Sequence, residues 1–268
     1  MGKGYVLDAD AAVLYEAQKV PAIFAPLAAA TLAAVAPSAG ATLLDLACGT
    51  GILARTARRR LGSAARVVGL DLSAAMIEVA AGVDDPAAGA CEWVVGSALA
   101  LPFADASFSD VLCQQGMQYV PDVEAAAAEI HRVLKPGGRV ALTVWGPPNL
   151  FFTATAAALE RHAGPEIARD WLSPFDFDGR SVLPAALLAA GFGTIETAPL
   201  VVERVMALPE ISFPAEILSN PIGPKVAALG EDVLPRVVAD AAPAVARHVA
   251  GDRVVMPQEA LIVTATHA

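Results

Sequence analysis

Charge is scarce in this sequence. Only 17% of the 268 residues are charged, against 56% hydrophobic ones, and much of the apolar share is alanine. That balance excludes a disordered chain and supplies mass for one sizeable core, or a core plus a cap. Basic residues are scarcer still, with 18 Lys and Arg against 28 Asp and Glu, a formal net charge of −10. A surface of that sign repels phosphate backbones, so nucleic acid is excluded as a partner. The one basic cluster, Arg55, Arg58, Arg59 and Arg60, is expected to be a solvated helix face. Cysteine is limited to Cys48, Cys91 and Cys113. An odd count with no CxxC or Cys/His spacing rules out a disulfide framework and a zinc site, and fits a reducing, cytoplasmic compartment. No metal is expected. Charge is absent altogether from 20–44. That stretch holds Pro21, Pro26, Pro37 and Gly40, and acidic residues precede it where an export signal would place basic ones. It is expected to be a buried helix plus a loop, with no membrane insertion. The abundance of alanine and proline suits a GC-rich bacterial source.

From residue 42 short apolar runs alternate with amphipathic segments. Strands are expected at 42–47, 66–70, 91–95, 108–113 and 139–145, and helices at 52–61, 73–81 and 123–134. Such alternation implies an α/β fold: a mostly parallel, Rossmann-like sheet with helices on both faces. Residues 1–40 read as a helical cap. After Trp145 the rhythm changes. Two short helices are expected in 146–180, a helix at 184–190, long strands at 195–207 and 257–266, and proline-interrupted helices across 208–252. The two late strands fit an antiparallel pair at one edge of a seven-stranded sheet. The organisation expected is a cap, 1–40, and a catalytic domain, 41–268, with lid insertions at 146–180 and 208–252.

The strongest local feature is Leu43-Leu44-Asp45-Leu46-Ala47-Cys48-Gly49-Thr50-Gly51. A buried strand enters a turn with two glycines and then a helix. Glycines let backbone N–H groups approach a ligand. Asp71 closes the next strand, 20 residues after Gly51, where a carboxylate can accept both ribose hydroxyls. The same spacing fits a dinucleotide turn, so a nicotinamide-dependent oxidoreductase is an alternative. Asp45, inside the first strand, favours a ligand carrying an ammonium group and would repel a pyrophosphate.

Four segments in order carry a family resemblance: 45–51, Val68-Gly69-Leu70-Asp71-Leu72-Ser73, Ala98-Leu99-Ala100-Leu101-Pro102-Phe103, and Val133-Leu134-Lys135-Pro136-Gly137-Gly138. Together, over roughly 40–146, they resemble the class I S-adenosyl-L-methionine (SAM)-dependent methyltransferases, in the UbiE-like, "methyltransferase domain 11" small-molecule group. The resemblance implies SAM as cofactor and S-adenosyl-L-homocysteine as product. It implies that Ala47, Gly49 and Gly51 line the methionine part with Asp45 near its amino group, that Asp71 holds the ribose, and that Leu72 and Met76 flank the adenine. In this group an aspartate usually follows the third strand and bonds the adenine. Here the position is Ser97, with the backbone of Ala98 and Leu99 beside it. Gln114, ending the fourth strand, is expected near the methionine.

Methyl transfer is an in-line attack on an electrophilic carbon, which needs positioning and exclusion of water. Phe24, Gln115, Gln118 and Tyr119 are the candidates to meet the acceptor. The caps 1–35, 146–180 and 208–252 carry Phe151, Phe152, Trp171, Phe175, Phe177 and Phe213, which suits an apolar or aromatic small acceptor. Candidate bases are His162, His248 and Tyr15, with Glu16 nearby in the cap, and orientation without a dedicated base is the alternative. His131 is expected to face away from the cofactor and His267 to face solvent. The expected activity is methyl transfer to an O, N or C atom of a small molecule, by a monomer or homodimer. The other alternative is a SAM-binding protein of this fold with a non-methylating or regulatory role.

Overall fold

The computed structural model describes residues 9–85, 87 and 89–267. The chain divides into two compact units: Met1–Val144 with Asp178–Leu200 and Ala260–Ala268, and Trp145–Phe177 with Val201–Glu259.

In the first unit, one continuous helical rod runs through α1 (Ala9–Leu14), a π-helical stretch (Tyr15–Phe24) and α2 (Ala25–Val35). The wide turn has a local cause. Pro21 lies inside it, and proline lacks an N–H and clashes with the carbonyl four residues back. Widening the spiral relieves that conflict, and the Ala25 N–H reaches back five residues to the Val20 carbonyl. Val20, Ala28, Leu32 and Val35 join the core formed by Leu43, Leu53, Ala57, Val67 and Ile262. By length and composition this rod is also apolar enough to cross a membrane.

The sheet follows: β1 (Thr42–Leu46), α3 (Ile52–Leu61), β2 (Arg66–Asp71), α4 (Ala74–Gly82), β3 (Glu92–Val95), β4 (Phe108–Gln114), α5 (Val123–Val133) and β5 (Leu134–Trp145). β3, β2, β1, β4 and β5 are neighbours in that order and all pair in parallel. Alternation of apolar runs with helices dictates this, because a parallel pair needs a crossover helix. The Lys135-Pro136-Gly137-Gly138 segment does not separate the helix expected at 123–134 from the strand expected at 139–145. β5 already starts at Leu134, and the pairing with β4 skips from Phe108↔Leu134 to Asp110↔Arg139. The extra residues form a bulge, with Gly137 at φ +74°, a left-handed conformation that glycine adopts without cost.

Beyond β5 come α6 (Leu150–Ala163), α7 (Pro165–Leu172), α8 (Gly179–Ala189), β6 (Phe192–Ala207), α9 (Pro209–Leu218), α10 (Gly223–Ala227), α11 (Val233–Val245), β7 (Val249–Ala250) and β8 (Arg253–His267). β8 lies beside β5 and β6 closes the edge; the two-residue β7 adds an antiparallel pairing to β8. The fold is thus the expected mostly parallel sheet with an antiparallel edge. The second unit has its own core, in which Phe151, Phe152, Trp171 and Phe213 pack with Met206 and Met256. These aromatics therefore build that unit. It also buries Arg204 against Glu216 at 3.3 Å, over the Phe152 ring.

The basic cluster is a correction. Arg58 is buried and donates to the Gly62, Ala65 and Ala90 carbonyls. Arg55 pairs with Glu16 at 2.7 Å. Only Arg59 and Arg60 face solvent. Arginine on a helix beside loop ends satisfies orphan carbonyls, which outweighs its preference for water.

Candidate active site

The site grows from Asp45. β1 is an interior strand, paired with β2 on one side and β4 on the other, and its fourth residue is 1% exposed. Asp45 Oδ2 accepts the Ala54 N–H of α3 at 2.8 Å, while Oδ1 has no protein partner. Burial pushes its pKa up to about 8; the Ala54 N–H opposes that shift, and the Asp71 charge adds to it.

Where β1 ends, the backbone turns left-handed three times: Ala47 at φ +54°, Gly49 at +56° and Gly51 at +81°. Alanine in that region is strained and persists where surroundings enforce it. Two bonds to β2 do so: the Cys48 N–H donates to the Leu70 carbonyl at 3.0 Å, and the Gly49 N–H to Asp71 Oδ2 at 2.8 Å. Asp71 Oδ1 takes the Ser73 N–H at 2.9 Å. Burial raises the Asp71 pKa while these N–H bonds oppose it. Asp71 therefore braces the turn, and each oxygen keeps lone-pair capacity for a hydroxyl.

Gly51 is glycine for a reason the sequence hid. A Cβ there, or at Gly69, would fall inside the Trp93 indole. Packing against a tryptophan, rather than ligand approach, requires these two positions to be bare. Gly49 is different: a Cβ there would stand 3.9 Å from Tyr15 Cε1.

On the β2–β3 side, Leu72, Val95 and Leu99 are exposed large apolar residues. Val95 was not singled out from sequence. Met76 is buried at 4% exposure, against 57% for Leu72. The Ser97 hydroxyl accepts the Leu99 N–H at 3.2 Å, so Leu99 is committed locally, and Ser97 bridges to Ala100 around Ala98.

The π-helical stretch brings Tyr15 beside the glycine turn. Tyr15 stacks on Phe24 with centroids 5.1 Å apart, and the Glu16–Arg55 pair fastens the stretch to α3. Gln114 Nε2 donates to the Phe24 carbonyl at 3.1 Å. Phe24, Tyr15 and Gln114 are thus brought together. At the end of β4, Gln115 adopts φ +59° and its N–H donates to the Thr143 carbonyl at 2.8 Å. A Cβ on Gly116 would stand 2.5 Å from Ala47 Cβ, so this loop packs on the glycine turn. Gln118 and Tyr119 follow, half-buried. Burial raises the Tyr119 pKa and a hydrogen bond from Gln118 opposes it.

His162 and His248 belong to the second unit, His131 and His267 to the first. His162 Nε2 is 2.8 Å from Asp240 Oδ2, in a surface cluster with Arg161 on the second unit. His248 lies beside Arg247 at the end of α11. His131 stacks on His267 with centroids 3.9 Å apart, and Phe192 meets it edge-on. Burial, then the His267 charge, lowers the His131 pKa. His267 is therefore packed and does not simply face solvent. Among the described residues, no cluster of His, Cys, Asp and Glu could hold a metal ion.

A strand, a left-handed turn and a second-strand carboxylate around an orphaned acidic oxygen define a nucleoside-binding Rossmann-like site. The oxygen fits a cationic amino-acid moiety better than a pyrophosphate. Comparison with known proteins sets the class. The family model described as "Methyltransferase domain" matches residues 44–142. The chain is 36% identical over 172 residues to the 2-phytyl-1,4-naphtoquinone methyltransferase of Thermosynechococcus vestitus, covering 60% of this chain and 76% of that one. It is 34% identical over 170 residues to the demethylmenaquinone methyltransferase of Lactococcus lactis, covering 59% and 68%. A methyltransferase-like structure from Bacillus halodurans superposes with TM-score 0.59 at 19% identity, over 90% of this chain and 98% of that one. The chain belongs to the class I SAM-dependent methyltransferases, in the small-molecule group. Its cofactor is SAM, and the nicotinamide alternative falls.

Proposed function

We propose that this methyltransferase acts on a quinone-type aromatic small molecule, in its reduced, hydroxyl-bearing form. The observation that carries the reading is the kinship, at 36% and 34% identity, with two enzymes named for naphthoquinone and menaquinone substrates. The chemistry agrees. A hydroquinol ring carbon is nucleophilic when its hydroxyl is held or ionised, so no strong dedicated base is needed. That suits a site built from Asp45, Asp71, Gln114 and Tyr15.

Asp45, Gly49 and Asp71 are the residues that hold the cofactor: the buried carboxyl meets its amino group, the turn its methionine chain, and Asp71 its ribose. Leu72, Val95 and Leu99 offer apolar contact to the adenine beside Ser97. SAM supplies an electrophilic methyl on a sulfonium, and the neutral thioether S-adenosyl-L-homocysteine remains. The protein's part is to position the nucleophile in line, exclude water and accept the proton the acceptor loses. Tyr15, beside Gly49 of the turn and stacked on Phe24, is a phenol placed for that positioning. The buried, unbridged thiols support a cytoplasmic location, and burial of Val20, Leu32 and Val35 supports the N-terminal rod as a core helix rather than a span.

The test is anaerobic incubation with SAM and dithionite-reduced 2-prenyl-1,4-naphthoquinone, read by mass spectrometry. A product heavier by one methylene is expected. Absence of product, with methylation of unrelated phenols or amines, defeats the quinone assignment. Asp71→Ala is expected to weaken S-adenosyl-L-homocysteine binding by about tenfold to a hundredfold, because a charge-assisted hydrogen bond and the Gly49 brace are both lost. Unchanged affinity in calorimetry would remove Asp71 from the site.

A further inference from the structure

The ends of β4 and β5 hold a concentration of polar atoms that the protein does not satisfy. Gln115 is 6% exposed, and neither its Oε1 nor its Nε2 meets a protein partner. The Thr143 hydroxyl is fully buried and unpartnered. Gln114 Oε1 is buried and unpartnered as well. Gln114 and Thr143 are register partners, and the Gln115 N–H is bonded to the Thr143 carbonyl, so the backbones of these three residues meet at one strand end.

Buried amides in folded proteins are almost always paired, and leaving one unpaired is costly. Leucine or methionine would fill the same volume without that cost. A second, independent observation concerns the backbone. Gln115 is left-handed at φ +59°, a region that long side chains avoid and that clusters at ligand sites. A residue both strained and unsatisfied contributes nothing to the fold that a different residue would not contribute better. The corner also adjoins the cofactor turn, because Gly116 packs directly on Ala47.

We infer that Gln115, with Thr143 beside it, is a specificity-determining residue that recognises a hydroxyl oxygen of the methyl acceptor. The amide offers a donor to the oxygen and an acceptor for its proton, and the Thr143 hydroxyl can serve either side. An ether can use only one of these faces and leaves the amide oxygen unpaired. A hydrocarbon edge uses neither. The assignment deepens the quinol reading and rests on it for the ring, but the hydroxyl preference is separately measurable.

The experiment uses the full chain saturated with S-adenosyl-L-homocysteine. Calorimetry measures binding of 1,4-dihydroxynaphthalene and 4-ethylphenol, each against its methoxy counterpart. The wild type is expected to favour the hydroxyl form by about tenfold or more. Gln115→Leu is expected to shrink that ratio to near one while S-adenosyl-L-homocysteine affinity stays within about twofold. Thr143→Val is expected to reduce the ratio partially. Thermal melts of the ligand-free protein supply a readout that a structural role would move the other way. Gln115→Leu is expected to raise Tm by roughly 2–4 °C, since it removes an unpaired buried amide. Equal binding of hydroxyl and methoxy forms, absence of binding by every hydroxyl probe, or a ratio that survives Gln115→Leu overturns the assignment. So does a lowered Tm in Gln115→Leu, with Gln115→Met made alongside to show that the loss is of the amide and not of leucine's shape. Phenol discrimination without any naphthalene binding supports Gln115 and overturns the quinone reading alone.

Discussion

Asp45 concentrates the electrostatic tension of the molecule. Its carboxyl is raised to about 8 chiefly by burial, so the ligand-free protein holds it protonated at neutral pH. A carboxyl whose folded pKa exceeds its unfolded value binds more protons when folded. Its contribution to stability is therefore full below about pH 4 and is lost as pH rises through about 8. Pairing with an ammonium needs the ionised form, so cofactor binding below pH 8 must release that proton. At still higher pH the ligand's α-ammonium, less acidic than a chain terminus because a carboxylate adjoins it, loses its charge in turn. Affinity for S-adenosyl-L-homocysteine is expected to peak near pH 8 and fall on the acid side by up to about tenfold per pH unit. Calorimetry across pH in buffers of different ionisation enthalpy reads the proton directly. A flat profile, or an acid limb that persists in Asp45→Asn, would show that Asp45 does not titrate with binding. At the same scale, Gly51→Ala is expected to destabilise by roughly 1–3 kcal/mol, from overpacking against Trp93 and a strained φ. The double variant with Trp93→Leu should recover part of the lost Tm; no recovery would mean that the indole is not the obstacle.

At the scale of elements, the N-terminal rod is fastened at two places, to α3 by the Glu16–Arg55 pair and to the end of β4 by Gln114, which bonds the Phe24 carbonyl. Both side chains of the pair are largely covered, at 10% and 19% exposure. Removing one partner leaves a partly desolvated charge, so Glu16→Ala is expected to cost about 1–3 kcal/mol. The loss should be local. Hydrogen exchange is expected to quicken in Ala9–Val35 while β1 and β4 amides keep their protection. Uniform quickening across the sheet would instead make the pair a global support. The π-helical turn sets the register of these contacts: it lets the chain pass Pro21 while keeping Tyr15 and Phe24 stacked.

The whole molecule is built to prefer one nucleoside. S-adenosyl-L-homocysteine at about 100 times its Kd is expected to add about 2.7 kcal/mol of stability and raise Tm by roughly 5–10 °C. NADH at the same concentration should leave Tm unchanged, since the turn offers its pyrophosphate a buried carboxyl in place of a cation; a comparable shift with NADH would refute the cofactor fit.

The sequence by itself determined the sheet, its alternation of strands and helices, the position of Asp45 beneath the turn and of Asp71 at the end of β2. These are local facts, because hydrophobic period, glycine and strand-end position are written in neighbouring residues. Tertiary structure alone decided the rest. Trp93 lies 42 residues from Gly51 in sequence, yet it is why Gly51 has no side chain. Arg58 reads as a surface charge until the carbonyls of Ala65 and Ala90 close around it. Val95 and Thr143 carried no motif, and nothing beside His162 in sequence announces Asp240, 2.8 Å from its Nε2. In each case the deciding partner is distant along the chain, and only folding states which buried polar groups find partners and which, like Gln115, do not.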